Sequence, residues 1–307
     1  MKATRDGFGD QLVASAKENK NIVVLSADLA KATKVDKFAK EFPDRFFEVG
    51  IAENNMVGIS SGMAENGFKV FLASFASFLT GKYDTIRCSL AYSNVPCVIV
   101  GTHVGMAIGR DGVTQMGLED VSLMRSLPNM KILNPATYTE ARHIVDYLCK
   151  TDLEGPHYLR LGRQPVWDPF MDEFYKFEFG KNMLIKKGEK GIVFSTGCIL
   201  TDVLEATKDI DVTVINVHTL KPIDYESVKN WSFTYDHVFT IEDHSIIGGL
   251  GSAVAEIMAE NGSRSVLTRI GLNDVFPESG APSDLYDKYG LSSNKIREKI
   301  LEVLNED

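Results

Sequence analysis

Strand-like apolar runs alternate with helical patterns through the first half of the chain. "NIVVLSAD", "KVFLASF" and "VPCVIVGTH" read as strands, with helices between them, one of them around "YDTIRCSLAYS". Within "FFEVGIAENNMVGISSGMAENG" the non-polar positions step by four, three and four from Ala52 through Met56 and Ile59 to Met63, and Gly67 ends the run. That spacing predicts one buried helical face with Glu53 at the helix start. A later helix is announced by Thr137 and Glu140 at capping-box spacing, with Ala141, Ile144, Val145 and Leu148 on one face. Between Arg163 and Gly180 the stretch "QPVWDPFMDEFYKFEFG" sustains neither period. Alternation restarts with "GIVFSTG", "VTVINVHTL", "HVFTIED" and "VLTRIGL" as strands and "GSAVAEIMAENG" as a helix. The expected fold class is α/β, with two domains, each a mostly parallel sheet flanked by helices. The boundaries fall at residues 1–165, a linker at 166–180, and 181–307.

A length of 307 residues accommodates two such domains. The net charge of −9 comes without a basic block or a basic stripe interleaved with aromatics, which argues against nucleic acid as a partner. The start "MKATRDGFGD" has no apolar signal region, and the longest apolar run, "VFLASFASFL", is broken by serines. A cytoplasmic protein that does not engage a membrane is the expectation. Cys88, Cys97, Cys149 and Cys198 form no Cys-x-x-Cys pair and lie in apolar segments, so buried thiols in a reducing compartment are expected. No two of the six histidines stand at metal-ligand spacing, and a structural zinc site is not expected.

Three segments hold candidate chemistry. Glu53 admits two readings, a carboxylate meeting the positive end of a helix dipole or a carboxyl group set in a pocket for proton chemistry. In "GTHVGMAIGRDGVTQMG", residues 101–117, five glycines surround His103, Arg110, Asp111 and Gln115 directly after a buried strand. Ligands of open parallel sheets bind beyond the carboxyl ends of strands, and glycines allow close backbone approach. In "SFASFLTGKYDTIR", Phe75 and Phe78 read either as core or as a platform for something flat. "GGLGSA" at 248–253 is too short for a dinucleotide fingerprint and reads as helix-start packing. Glu242, Asp243 and His244 read as a strand end and turn rather than a triad.

Together, "DRFFEVGIAENNMVGISSGMA", "FASFLTGKYDTIR", "GTHVGMAIGRDGVTQMGLEDVSLMRSLPNM" and "YLRLGRQP" resemble the pyrimidine-binding domain of transketolases, in order and with few gaps. The second half, through "EDHSIIGGLGSAVAE", resembles the transketolase C-terminal domain. The resemblance implies thiamin diphosphate as cofactor and two-carbon ketol transfer between phosphorylated sugars. It also implies a missing half. No Gly-Asp-Gly motif, which in the family helps hold Mg²⁺ (or Ca²⁺) and the diphosphate, occurs here. The chain is thus expected to be the C-terminal subunit of a split enzyme, with no metal ligand of its own, joined to an N-terminal transketolase subunit in an α2β2 heterotetramer.

By resemblance, Glu53 bonds N1′ of the thiamin aminopyrimidine and favours its imino tautomer, and Phe75 and Phe78 stack on that ring. Asp28 matches an aspartate near the cofactor, His103 lies near the reacting carbons of the substrate, and Asp111 takes a sugar hydroxyl. Gln115 stands where some members have a second histidine. Arg5 and Arg163 match arginines that grip the sugar phosphate. Three positions depart from the family: Arg110 replaces an acidic residue, Val113 replaces a proline, and Thr33 only approximately matches a phosphate-binding hydroxyl. The 1-deoxyxylulose-5-phosphate synthases, the β subunits of 2-oxo-acid dehydrogenases and a non-catalytic regulatory subunit stand as alternatives.

Overall fold

Residues 22–26, "IVVLS", are buried at every position, the mark of a strand covered on both faces. This is β1 (Ile22–Ser26) of a computed structural model whose described residues are 1–170 and 174–305. Residues 171–173 of the expected linker and 306–307 of the expected second domain lie outside them. The first sheet adds β2 (Phe46–Glu48), β3 (Lys69–Phe75), β4 (Cys97–Thr102), β5 (Lys131–Leu133) and β6 (His157–Leu161). The second holds β7 (Met183–Lys186), β8 (Ile192–Thr196) and β9 (Thr213–Asn216). After β10 (Thr219–Lys221), β11 (His237–Ser245) and β12 (Val266–Leu272) complete it.

The seven strands of the first sheet run β10-β5-β6-β4-β3-β1-β2, and only β10 is antiparallel to its neighbour. Side chains of β1, β3 and β4 alternate between two cores. Val23, Leu25, Val70, Leu72, Cys97 and Ile99 meet Met56 and Val57 of the helix Glu53–Glu65. Val24, Phe71 and Val98 meet Phe8 and Leu12 of the helix Thr4–Glu18 and Ile144 of the helix Tyr138–Lys150. The second sheet runs β12-β11-β8-β9-β7, with β7 antiparallel at its edge. Two mostly parallel sheets flanked by helices match the expected class. The core under the helix Glu53–Glu65 continues into the second domain through Ile192, Phe194, Ile215 and Leu250. Among the described residues no helix is long and apolar enough to cross a membrane.

Four expectations need correction. "VTVINVHTL" is two strands: β9 stays in the second sheet, whereas β10 crosses to the edge of the first and pairs with β5. The chain changes sheets where the Val217 amide donates to Ser195 and the His218 carbonyl accepts from Asn134. The helix around "YDTIRCSLAYS" is a single α turn, Tyr83–Ile86, continued by a π segment, Arg87–Tyr92. Cys88 on that π segment is exposed, unlike Cys97, Cys149 and Cys198. Glu242, Asp243 and His244 form the expected strand end but no turn: they are buried within β11. The Glu242 carboxylate accepts the Leu250 and Gly251 amides at 2.8 Å each, capping the helix Leu250–Asn261.

Two buried polar groups fasten the halves. Arg160 Nε donates to Asp120 Oδ2 at 2.9 Å, and Arg160 Nη2 donates to the carbonyls of Gly117 and Asp243 at 3.2 and 2.9 Å. Burial pushes the Asp120 carboxyl up, but the Arg160 charge, His244 and the hydrogen bonds of Arg160 and Tyr158 together hold it below its ordinary value. Glu140 accepts from the Ala136 amide at 2.6 Å, from Asn216 Nδ2 at 2.7 Å and from the Tyr175 hydroxyl, so helix, second sheet and the 166–180 stretch meet on one carboxyl. Phe177 and Phe179 of that stretch pack on Tyr147.

Arg160→Met leaves Asp120 charged and unpaired in the interior, and urea denaturation should show a loss of about 3–5 kcal/mol. The double variant Asp120→Asn with Arg160→Met should recover part of it. Burial raises the Glu140 carboxyl to about 7 against its three hydrogen bonds. The native state therefore keeps a proton that the unfolded chain releases near 4.5, and stability falls as pH rises through that window. Relative to Glu140→Gln, the wild type should lose up to ~1.4 kcal/mol per pH unit between about 4.5 and 7, read from denaturation midpoints.

Candidate functional site

The carboxyl ends of β1, β3 and β4 open on one side of the first sheet, the position at which parallel sheets bind ligands. Glu53 is the first residue of its helix and is buried. No side chain caps that helix, so the carboxylate meets the free amide end as well as the pocket. Its Oε1 accepts from Ser74 Oγ at 3.3 Å, and among the described residues Oε2 has no protein partner. Ala27, Asp28, Leu29, Ile51, Glu53, Ser77, Phe78 and Lys82 line a pocket of about 360 Å³. Among the described residues the buried Ser77 hydroxyl has no hydrogen-bond partner. Apolar walls, one carboxylate with a free oxygen and one unsatisfied hydroxyl fit a flat heterocycle with ring nitrogens and an amino group, such as the aminopyrimidine of thiamin. Asp28 sits on the rim in a left-handed conformation (φ 60°), its amide donating to Glu48 Oε1 at 2.6 Å.

Aromatic rings lead from this pocket to a second group of residues. Phe78 stacks on Phe75 at 5.1 Å between centroids, and Phe75 stacks on His103 at 3.7 Å. Arg5 Nη1 donates to His103 Nε2 at 3.1 Å and to the Ala32 carbonyl at 2.9 Å. Arg163 Nη1 donates to Asp111 Oδ2 at 2.9 Å. The loop between them turns at Gly105 (φ 71°), where a Cβ would lie 1.8 Å from the Asp243 carboxylate that binds the Met106 amide. Burial first, then the charges of Arg5 and Arg163, lower the His103 imidazole to about 3. Burial also lowers Arg5, with Arg163 adding to it and Asp6 opposing. Cationic donors thus surround a neutral acceptor.

Glu53, Asp28 and Phe78 share the pocket; Phe75, His103, Arg5, Arg163 and Asp111 adjoin it. Gln115 stands apart, its side-chain amide reaching Thr114 Oγ1 at 3.4 Å, and Arg110 is exposed. Thr33 is buried, and its hydroxyl donates to the Leu29 carbonyl at 2.9 Å, which leaves it turned away from a ligand. Sequence reasoning missed Ser74, Ser77 and Thr102. The first two lie in the quoted aromatic cluster and the third precedes His103, but only strand register for Ser74 and Thr102, and the short helix Ala76–Thr80 for Ser77, bring them to the site. Among the described residues no cluster of three His, Cys, Asp or Glu side chains could hold a metal.

The family "Transketolase, pyrimidine binding domain" matches residues 1–167, and "Transketolase, C-terminal domain" matches residues 180–296. A protein of Methanocaldococcus jannaschii described as a transketolase C-terminal section is 38% identical, covering 100% of this chain and 98% of its own. The 6-deoxy-6-sulfo-D-fructose transketolase subunit SqwH of a Clostridium species is 36% identical over 97% of this chain and 94% of its own. The 1-deoxy-D-xylulose-5-phosphate synthase of Clostridium perfringens is 32% identical, and the match spans 48% of its length. Among solved structures, a split-gene transketolase in an inactive β4 tetramer is 39% identical with a TM-score of 0.90, covering 99% of both chains. Transketolase from Leishmania mexicana shares the fold at a TM-score of 0.81 and 20% identity, over 99% of this chain and 46% of its own.

The lowered pKa has a direct readout. His103 should show no titration between pH 5 and 8 in histidine-labelled NMR spectra, identified as the signal lost in His103→Gln.

Proposed function

The chain belongs to the transketolase family, and from that premise we propose that it is the C-terminal subunit of a split transketolase. It would move a two-carbon ketol unit from a ketose phosphate to an aldose acceptor. The observation that carries this reading is a carboxylate and an aromatic pair at one pocket, joined by ring stacking to a neutral histidine bonded to Arg5. Neither a scaffold nor a regulatory subunit needs that combination. Residues 1–165 and 181–307 are taken as its two domains, joined by 166–180.

Thiamin diphosphate, on which the family depends, supplies when bound the nucleophilic carbon for ketol transfer. Glu53 would bond the aminopyrimidine through its free oxygen and hold or release a proton there. Phe75 and Phe78 would present the apolar wall against the ring, and Asp28 would close the rim. Arg5 and Arg163 would take the terminal anion of the sugar, since two guanidinium groups are well matched to phosphate oxygens. Asp111 would accept from a sugar hydroxyl, and His103, whose Nε2 takes the Arg5 donor, would hold Arg5 in place near the reacting carbons, with Gln115 at the periphery. A sulfonate in place of phosphate is a second reading, favoured by the SqwH relative, whose own substrate is a sulfo-sugar. Mg²⁺ would be held mainly by an N-terminal partner subunit, in an α2β2 assembly. Four free cysteines agree with a cytoplasmic setting.

The test is a two-carbon transfer assay with xylulose 5-phosphate and ribose 5-phosphate, thiamin diphosphate and Mg²⁺. It compares the chain alone with the chain co-expressed with an N-terminal subunit carrying the Gly-Asp-Gly motif. Activity should require both. Glu53→Gln should lower kcat by about a hundredfold or more with assembly intact; unchanged turnover would remove Glu53 from the proton chemistry.

A further inference from the structure

One line of hydrogen bonds joins the two ends of the site. Arg5 Nη1, which can only donate, lies 3.1 Å from His103 Nε2, so that nitrogen must carry the lone pair. The proton of the neutral ring is then on Nδ1, 2.9 Å from Thr102 Oγ1. Thr102 Oγ1, accepting there, donates its own proton to the Ser74 carbonyl at 3.4 Å. Ser74 in turn donates from its hydroxyl to Glu53 Oε1 at 3.3 Å. Strand register makes this possible, because β3 and β4 pair Ser74 with Gly101 and Phe75 with Thr102. Thr102 and Ser74 are fully buried, so neither hydroxyl has water as an alternative partner.

We propose that Thr102 is the positioning residue that fixes His103 in its Nδ1–H tautomer. With Nε2 then able only to accept, the ring holds the Arg5 guanidinium facing the sugar site. The consequence for turnover rests on the proposed function; the tautomer itself does not. If Nε2 carried the proton, two donors would face each other at Arg5, and the guanidinium would have to leave its place. Valine at 102 keeps the strand and nearly the same shape but strands the Nδ1 proton without an acceptor. The Thr102 hydroxyl also saturates the Ser74 carbonyl, which ties the orientation of His103 to the strand residue that holds Glu53. One threonine therefore sets the ring, and through the ring the cation, without touching substrate.

The experiment records ¹⁵N spectra of the full chain labelled in histidine, with His103 assigned by His103→Gln. Wild type should give a pyrrole-type Nδ1 and a pyridine-type Nε2 at His103. Thr102→Val should give a tautomer mixture and Thr102→Ser should restore the single state. Arg5→Met, which removes the other clamp, should keep Nδ1–H, and it serves as the test should Thr102→Val not fold. A wild-type Nε2–H tautomer, an unchanged Nδ1–H state in folded Thr102→Val, or conversion to Nε2–H in Arg5→Met would overturn the proposal. In the complex with the N-terminal subunit, Thr102→Val should raise KM for the phosphorylated donor about tenfold with kcat within about threefold. An equal fall of kcat and kcat/KM in that variant would overturn the positioning role. A complete absence of ketol transfer by the wild-type complex would count against the proposed function and leave the tautomer result standing on the spectra.

Discussion

The Arg160–Asp120 pair is the constraint on which the site depends. Both side chains are removed from water, where an isolated charge would not survive ionised and where each partner needs the other together with neutral hydrogen bonds. The pair satisfies that demand in a way that also sets geometry. The Tyr158 hydroxyl donates to the same Asp120 oxygen at 2.8 Å, and the second guanidinium nitrogen of Arg160 reaches the Gly117 and Asp243 carbonyls. One cation thus holds β6, the far end of the 103–117 loop and strand β11 of the second domain. Asp243 returns the contact through its carboxylate, which binds the Met106 amide and the Tyr286 hydroxyl. The loop that carries Asp111 is therefore anchored near one end on Asp243 directly and at the other through Arg160, which also holds the Asp243 carbonyl. Gly105 exists in this arrangement because no side chain fits between the loop and that carboxylate.

Much of this was legible in the amino-acid order, and the parts that were not share a cause. Runs such as Ile22–Ser26 and Val70–Ala73 announce buried parallel strands because both faces are covered, and the helix after Glu53 announces itself by its spacing. β5 and β2, three residues each, carry too short a pattern to stand out from their surroundings. β10 was hidden because its run is continuous with β9 in sequence, and only tertiary pairing with β5 separates the two. The strand end at Glu242 and Asp243 was legible in "HVFTIED"; what was not is that β11 continues through His244 with all three polar side chains buried in place of a turn. They stay buried because each finds a partner: Glu242 on a helix start in its own domain, Asp243 on Tyr286 and, across the domain boundary, on Met106, and His244 Nε2 on the Val121 amide of the first domain at 3.2 Å. Periodicity registers hydrophobic burial and carries no information on buried polar groups whose partners are distant in sequence. The same limit explains why Glu53 and His103 could be singled out by residue type and position, while Ser74 and Thr102, ordinary strand residues, could not.

The chemistry assembled around His103 depends on where charge is allowed. Two arginines and a buried imidazole in one corner would repel if all three were protonated, and the fold resolves this by keeping the imidazole neutral, through burial before charge. A neutral ring can accept from one side and donate from the other, whereas an imidazolium could only donate. That difference decides what the corner can bind. With the guanidinium groups already supplying donors, a charged histidine would repel Arg5, while a neutral one offers its Nε2 lone pair to that guanidinium and holds it in place. Asp111, paired with Arg163 at the surface, offers the acceptor for a hydroxyl.

The pocket beside Glu53 is built on different terms. Its walls are apolar, and the Ile51 side chain next to it is 83% exposed, with Phe47 a third exposed on the edge strand β2. Exposed apolar rims around a functional carboxylate are costly to leave in water and gain when another surface covers them. In the proposed function that surface belongs to the subunit that brings the diphosphate-binding motif, so closing the pocket and completing the cofactor site are one event. Burial of the rim would then dry the space around the free Glu53 oxygen only when both halves are present. A carboxylate meant for proton exchange would be held hydrated, and its chemistry weak, until the assembly able to use it had formed.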